Sequence, residues 1–170
     1  MSASCPAFAF RFTPPTSFAE SAMNIADFLS PNDVMIDVAA ADKQKLLSAL
    51  ARKAASIVDV QPQQVLAELE KREELGSTGV GGGVALPHAR FQQVKKPVGL
   101  FFRLRKPIAF EAVDEEPVDI VFLLLLPEVS NGEPLDALAS IARRLRKPEI
   151  TTALREARDS AEMYRVLSAG

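Results

Sequence analysis

The single histidine, His88, stands in Leu86-Pro87-His88-Ala89-Arg90, after a glycine-rich stretch and at the end of a short apolar run. A lone histidine is more often a surface or core residue than a catalyst, so its surroundings have to decide. Catalytic groups concentrate on loops held by a rigid scaffold, and Pro87 fixes its own φ just ahead of the ring. Serine–histidine and cysteine–histidine pairings lack parts: Cys5 lies in the N-terminal stretch and Ser77 has no G-x-S-x-G elbow around it. A direct histidine nucleophile needs fewer. Neutral imidazole, with an ordinary pKa near ~6.5, is available at neutral pH. It can accept a phosphoryl group, whose oxygens then need donors. Backbone N–H groups of a glycine loop and an arginine guanidinium are such donors.

Gly76-Ser77-Thr78-Gly79-Val80-Gly81-Gly82-Gly83 supplies a glycine loop. It is not a nucleotide motif. No glycine in it is followed by Lys and then Ser or Thr, and the dinucleotide spacing from Gly79 and Gly81 meets Val84 where a third glycine is needed. Both motifs also follow a strand, whereas a helical pattern precedes this loop. Composition narrows the chemistry further. The chain has 170 residues, 48% hydrophobic and 25% charged, which suits one globular domain. Twenty basic and 22 acidic residues leave a net charge of −2, without the basic bias of nucleic-acid binders. One cysteine and one histidine exclude a disulfide framework and a Cys/His metal centre. No metal and no cofactor are expected. A reducing, cytoplasmic setting fits.

The elements that must position His88 follow from periodicity. From Asp42 a helix is predicted with Leu46, Leu47, Leu50, Ala54 and Ile57 on one face. Pro62 suits the first turn of a second helix with Val65, Leu66 and Leu69 as its stripe, and Gly76 reads as its left-handed stop. The stretch Gly76–Gly83 is expected as a loop into a short strand Val84–Leu86. Val98–Leu104 alternates as a strand, with a separate short piece at Ile108–Phe110. Val118–Leu126 is almost continuously apolar and reads as a central strand covered on both faces. Leu135, Leu138, Ile141, Ala142 and Leu145 give another amphipathic helix, closed by Pro148, and Asp159 with Glu162 forms a capping box for a last one. The expected fold is a single-domain α/β sandwich with helices on both faces of the sheet. Residues 1–22 read as a loose extension without a targeting signal, ahead of a domain at 23–170 with Met23 as an alternative start. The longest apolar run, Ile120–Leu126, is far below the ~18 residues of a membrane span, so no membrane insertion is expected. Basic residues cluster from Arg90 to Lys106 and acidic ones from Glu111 to Asp119. They form either a solvated strand edge and loop or a docking surface for a charged partner.

Arg72-Glu73-Glu74-Leu75-Gly76-Ser77-Thr78-Gly79-Val80-Gly81, followed by Gly83-Val84-Ala85-Leu86-Pro87-His88-Ala89-Arg90, resembles a known signature. It is that of the enzyme IIA domains of the bacterial phosphoenolpyruvate-dependent phosphotransferase system, of the fructose/mannitol type and, within it, the nitrogen-regulatory branch. Pro107–Ala112, Pro117–Asp119 and the LLLLP run ending at Pro127 extend the likeness, which covers about Met23 to Leu167. The resemblance implies a mixed sheet between helices. It implies that His88 takes a phosphoryl group from a histidine phosphocarrier protein, that Arg72 stabilises it, and that Gly76, Ser77, Thr78 and Gly79 cradle it. Such a protein is a phosphoryl-transfer component rather than a stand-alone turnover enzyme. Nitrogen-type members regulate proteins of potassium, nitrogen and carbon metabolism, and the sequence does not name the target. Sugar-type members pass the group to a IIB domain, a segment not expected in this chain. The alternatives are therefore a sugar-transport IIA component and an interaction module that is never phosphorylated.

One departure from the pattern has a physical consequence. Many family members carry a second histidine near the start of the helix after the LLLLP strand, and the matching position here is Pro134. Its ring has no N–H to offer a phosphoryl oxygen. A hydrogen bond to a charged group contributes about 1.5–3 kcal/mol. Pro134→His is therefore expected to speed phosphorylation of His88 about tenfold or more, read as an initial rate, with an unchanged circular dichroism spectrum. A folded variant with an equal or lower rate would remove position 134 from the site.

Overall fold

The computed structural model describes residues 23–128 and 133–169. The expected extension, residues 1–22, and Asn131 and Gly132 lie outside the described residues, as do the side chains of Glu133 and Pro134. In order, the elements are a 3-10 turn Ile25–Asp27, strand β1 (Leu29–Val38), helices α1 (Lys43–Ala55) and α2 (Pro62–Glu74), and strands β2 (Gly79–Gly81), β3 (Val84–Ala85), β4 (His88–Phe91), β5 (Val98–Ile108) and β6 (Val118–Pro127). Helices α3 (Glu133–Leu145), α4 (Pro148–Glu156) and α5 (Ser160–Ser168) follow. The sheet runs β1-β5-β6-β3-β2, with β4 also on β6. It is mixed: β1–β5, β3–β6 and β4–β6 are parallel, while β5–β6 and β2–β3 are antiparallel.

Strand β6 explains the layering. Side chains alternate across a strand, so a continuously apolar one must be covered on both sides. Val118, Val121, Leu123 and Leu125 enter one core with Leu46, Leu50, Val65 and Leu69 of α1 and α2. Ile120, Phe122, Leu124 and Leu126 enter the other with Ala137, Ile141, Leu154 and Met163 of α3, α4 and α5. The α/β sandwich with helices on both faces is thus the observed architecture.

Asp42 caps α1, its carboxylate accepting from Lys45 N at 2.8 Å, and Pro62 sits in the first turn of α2 as expected. Several local expectations are corrected. Ile57 lies beyond the end of α1 and is 37% exposed, and Ala51 takes its place in the core. Strand β5 is continuous to Ile108, with its pairing to β6 shifting register between Arg103 and Ile108. The glycine stretch is not all loop. Gly82 and Gly83, at φ 63° and 78°, form the turn of a β2–β3 hairpin, where a type I′ turn needs positive φ at both central positions. Leu135 faces solvent at 62% exposure, and Ala137 packs instead. Pro148 does not close α3; it opens α4, a helix the periodicity did not reveal. Asp159 caps α5 by accepting from Glu162 N at 2.7 Å, yet Glu162 returns its carboxylate to Arg158 N rather than to the cap residue. Strand β1 was also not expected. Its polar residues and Pro31 suit a sheet edge, where a missing N–H is tolerated.

Two of the clustered charges turn out to be clamps. The Arg103 guanidinium donates to the carbonyls of Leu154, Arg155 and Ala157 at the end of α4, and pairs with Asp37. Arg155 holds Asp119 through two contacts of 2.8 Å.

Gly99 is a point of close approach between β5 and β6. A Cβ there would lie 2.8 Å from the Phe122 ring and 3.1 Å from the Phe28 carbonyl. The Phe122 ring cannot retreat, because Phe28 and Phe101 pack edge-on against it at 6.1 and 6.4 Å. Gly99→Ala is expected to cost about 1–3 kcal/mol, measured as a lowered midpoint in urea. An unchanged midpoint would mean that this core yields.

Candidate active site

Strands β3 and β4 lie end to end along one edge of β6 in a single register: Val84 opposes Ile120, Ala85 opposes Val121, and His88 opposes Leu124. Leu86 and Pro87 interrupt the strand without changing that register. Leu86 N bonds instead to Thr78 O at 2.9 Å, on the glycine hairpin side, and Pro87 O accepts from Leu124 N at 3.0 Å. The interruption frees the Leu86 carbonyl for the imidazole, and His88 Nδ1 lies 2.9 Å from it.

That contact assigns the tautomer. A carbonyl only accepts, so Nδ1 carries the hydrogen and Nε2 keeps its lone pair. Arg72, in the last turn of α2, donates from Nε to His88 Nε2 at 3.1 Å. Its Nη1 donates to Gly76 O at 2.9 Å, just past the helix end. The guanidinium is thereby fixed at both edges, where a cation also complements the helix dipole. His88 is held below its ordinary pKa, first by burial; the Arg72 charge adds to this, and the Leu86 carbonyl opposes it. The ring is therefore neutral at neutral pH, and Nε2 keeps the lone pair that a nucleophile needs.

The structure brings Arg72, His88 and Gly76 together directly. Ser77, Thr78 and Gly79 adjoin them, with both hydroxyls and the Thr78 and Gly79 N–H groups engaged by the protein. Ser77 Oγ donates to Phe110 O at 3.0 Å and accepts from Gly79 N at 3.1 Å. Thr78 is buried; its N–H donates to the Glu73 carboxylate at 3.2 Å, and its hydroxyl donates there too. Gly79 touches the Phe110–Ala112 segment so closely that a Cβ would lie 2.7 Å from Ala112 Cβ.

Glu73, Lys43 and the Leu86 carbonyl were not singled out from the sequence. Glu73, its side chain 7% exposed, pairs with Lys43 Nζ at 2.9 Å, and Lys43 reaches Glu111 at 3.2 Å and the Phe110 ring at 4.6 Å. Glu73 beside Arg72 at a helix end, five residues before a threonine, is a weak local signal for a loop clamp. Lys43 has none, since the fold alone brings α1 to it. Among the described residues no cluster of His, Cys, Asp and Glu could hold a metal ion, and no helix is long and apolar enough to cross a membrane.

The model of the family described as "Phosphoenolpyruvate-dependent sugar phosphotransferase system, EIIA 2" matches residues 27–170. A nitrogen regulatory protein of Bradyrhizobium diazoefficiens is 43% identical over 146 residues, 86% of this chain and 95% of that protein. One from Escherichia coli is 36% identical over 127 residues, 74% and 78% of the two chains. Among solved structures, the nitrogen regulatory protein IIA-Ntr of Neisseria meningitidis superposes with a TM-score of 0.81 at 33% identity, covering 84% of this chain and 98% of that one. The Escherichia coli mannitol IIA superposes with a TM-score of 0.68 at 18% identity, covering 81% and 97%, and shares the fold.

A neutral, half-buried imidazole has a measurable consequence. Between its lowered midpoint and the ordinary ~6.5, the unfolded chain binds the proton and the folded one does not, so stability rises with pH there. The contribution is full above ~6.5 and is lost as pH falls through that window. The ring signal of the one histidine should titrate below ~6.5 in NMR, and Arg72→Gln should move the midpoint upward. A midpoint at or above the ordinary value would contradict the burial and the Arg72 contact.

Proposed function

The chain belongs to the EIIA 2 family of the phosphoenolpyruvate-dependent sugar phosphotransferase system, and on that premise we propose that it is a phosphohistidine regulator of the nitrogen type, phosphorylated on His88. The observation that carries the reading is the His88 Nε2 lone pair, presented by the Leu86 carbonyl and met by the Arg72 guanidinium. In the proposed step Nε2 attacks the phosphorus of a phosphohistidine on a carrier protein. The N–P bond to the carrier breaks, its electron pair returns to the carrier's ring, and a new N–P bond forms at Nε2. The proton stays on Nδ1, donated to the Leu86 carbonyl, throughout. Arg72 leaves Nε2 for the phosphoryl oxygens, where its planar fork offsets their charge. The N–H groups of Gly76, Thr78 and Gly79 and the hydroxyls of Ser77 and Thr78 join the cradle only by exchanging the bonds they now make, so in the free protein they act first by holding the loop beside Arg72 and Glu73.

Nitrogen regulation is favoured over sugar transport by the relatives named nitrogen regulatory protein, at 43% and 36% identity over 146 and 127 residues. The proposed setting is the cytoplasm, with the carrier as donor and proteins of nitrogen, carbon or potassium metabolism downstream.

Incubation with phosphoenolpyruvate, enzyme I and the carrier should add one acid-labile, hydroxide-stable phosphoryl group, read by intact mass. His88→Ala should gain none. Arg72→Lys should fold and react about 10²–10³-fold more slowly, the usual loss for one transition-state donor. Labelling of the His88→Ala protein would refute the site, and an unlabelled parent would leave the interaction-module reading standing. Efficient onward transfer to a sugar IIB domain would assign the transport role instead.

A further inference from the structure

Arg72 and the Leu86 carbonyl hold the imidazole from two sides, and they belong to different parts of the fold. Arg72 stands in the last turn of α2, whereas Leu86 directly follows β3. The Nδ1–H tautomer needs both at once, the carbonyl 2.9 Å from Nδ1 and the Arg72 Nε–H 3.1 Å from Nε2. In the other tautomer Nε2–H would meet the Arg72 Nε–H, donor against donor, and the Nδ1 lone pair would meet the carbonyl oxygen. The separation of the two holding groups therefore decides which tautomer fits.

The residues beside those two groups are bonded to each other. Glu73 follows Arg72, and its carboxylate accepts the Thr78 N–H at 3.2 Å and the Thr78 hydroxyl. Thr78 faces Leu86 across the hairpin, its carbonyl accepting the Leu86 N–H at 2.9 Å. The bonds close a ring: His88 to Leu86, Leu86 to Thr78, Thr78 to Glu73, and by one peptide bond to Arg72, which returns to His88. Thr78 is buried, so its hydroxyl depends on a protein acceptor. Lys43 Nζ, from α1, lies 2.9 Å from the same carboxylate and offsets its charge.

We propose that Glu73 is a positioning residue. By bracing Thr78 it sets the distance between Arg72 and the Leu86 carbonyl, and so holds His88 in the Nδ1–H tautomer. Lys43 is the counter-charge that allows a carboxylate to do this close to the ring. Of the charges that act on His88, Arg72 of α2 and Arg90 of β4 oppose the imidazolium, and Glu73 favours it. Strand β6 is apolar where it pairs with β4, from Leu124 to Pro127. The effect of Glu73 on transfer rate rests on the phosphoryl reading above; its effect on the tautomer does not.

The test is NMR of the imidazole nitrogens in the full, unphosphorylated chain, where the two tautomers give distinct shifts. The parent should show the Nδ1–H form. Glu73→Ala removes the brace, so the Nε2–H form should appear and the initial rate of labelling by the carrier should fall about tenfold, with an unchanged circular dichroism spectrum. Glu73→Gln keeps an oxygen for Thr78 and loses the charge, so the Nδ1–H form should persist while the midpoint of the ring moves down. Thr78→Val should reproduce the tautomer change of Glu73→Ala in smaller measure and Thr78→Ser should restore the parental ring, which keeps the test decisive where Glu73→Ala fails to fold. A clamp that shapes only the loop would lower the urea midpoint and leave the ring as in the parent. The proposal is overturned by a folded Glu73→Ala, or by a Thr78→Val, whose ring keeps the parental Nδ1–H form. A parent that shows the tautomer response yet takes no phosphoryl group would count against phosphorylation of His88 and support the brace alone.

Discussion

The backbone of His88 is registered against Leu124 on a strand that has no room to slip. Every residue of β6 but Asp119 is buried, and from Ile120 to Leu126 its alternate side chains belong to different cores. A shift of one position would exchange the two cores wholesale. Strands β3 and β4 share that register on either side of Leu86-Pro87, so the break between them is local. Proline suits the break because it has no N–H to contribute to a ladder. The cost of interrupting the sheet is two residues, and what it frees is the one carbonyl that orients the imidazole.

Electrostatics then divides the site into a reactive half and a supporting half. In the reactive half, burial and Arg72 act in the same direction, and both keep the ring neutral. A histidine beside a carboxylate would be driven toward the charged form, which has no lone pair to give. The Glu73 charge does act in that direction on His88, but burial outweighs it, and the carboxylate itself is bonded to Thr78 and Lys43. Separating the cation that faces the ring from the anion that holds the loop lets one helix end supply both. The pairing with Lys43 matters because a buried carboxylate without a partner would be costly.

The large features were readable from residues alone where one physical signal dominated. The unbroken apolar run of β6 required two covering layers, and Pro62 and Asp42 marked helix starts by their own chemistry. Failures occurred where two readings of a residue compete. Pro148 ends a helix as well as it begins one, and only the packing of Leu154 reveals α4. Leu135 fits the apolar period of α3, but the helix has turned away from the core at that point. Strand β1 escaped because an edge strand need not look apolar. At the site, His88 and Arg72 stood out by type and motif. The Leu86 carbonyl did not, since a backbone acceptor carries no sequence signature, and Lys43 joins Glu73 only through tertiary packing.

The glycine hairpin shows how a flexible sequence is made into a fixed part. Glycine loses more backbone freedom on folding than any other residue, so a stretch with five glycines from Gly76 to Gly83 would wander unless held. It is held at both ends. Near the site, Gly79 is wedged against Ala112, and Val113 N bonds its carbonyl at 3.2 Å. At the tip, Gly82 N donates to Asp114 at 2.8 Å, and Arg155 on α4 donates to Gly82 O at the same distance while pairing with Asp119. The Asp114 carboxyl is held below its ordinary pKa chiefly by that Gly82 N–H. These anchors come from the Phe110–Asp119 segment and from α4, so the acidic run and the helix hidden behind Pro148 both serve the hairpin. Hairpin, Thr78, Glu73 and Arg72 form one connected chain of contacts. The position of the guanidinium at His88 therefore rests on clamps at the far end of the glycine stretch as well as on α2.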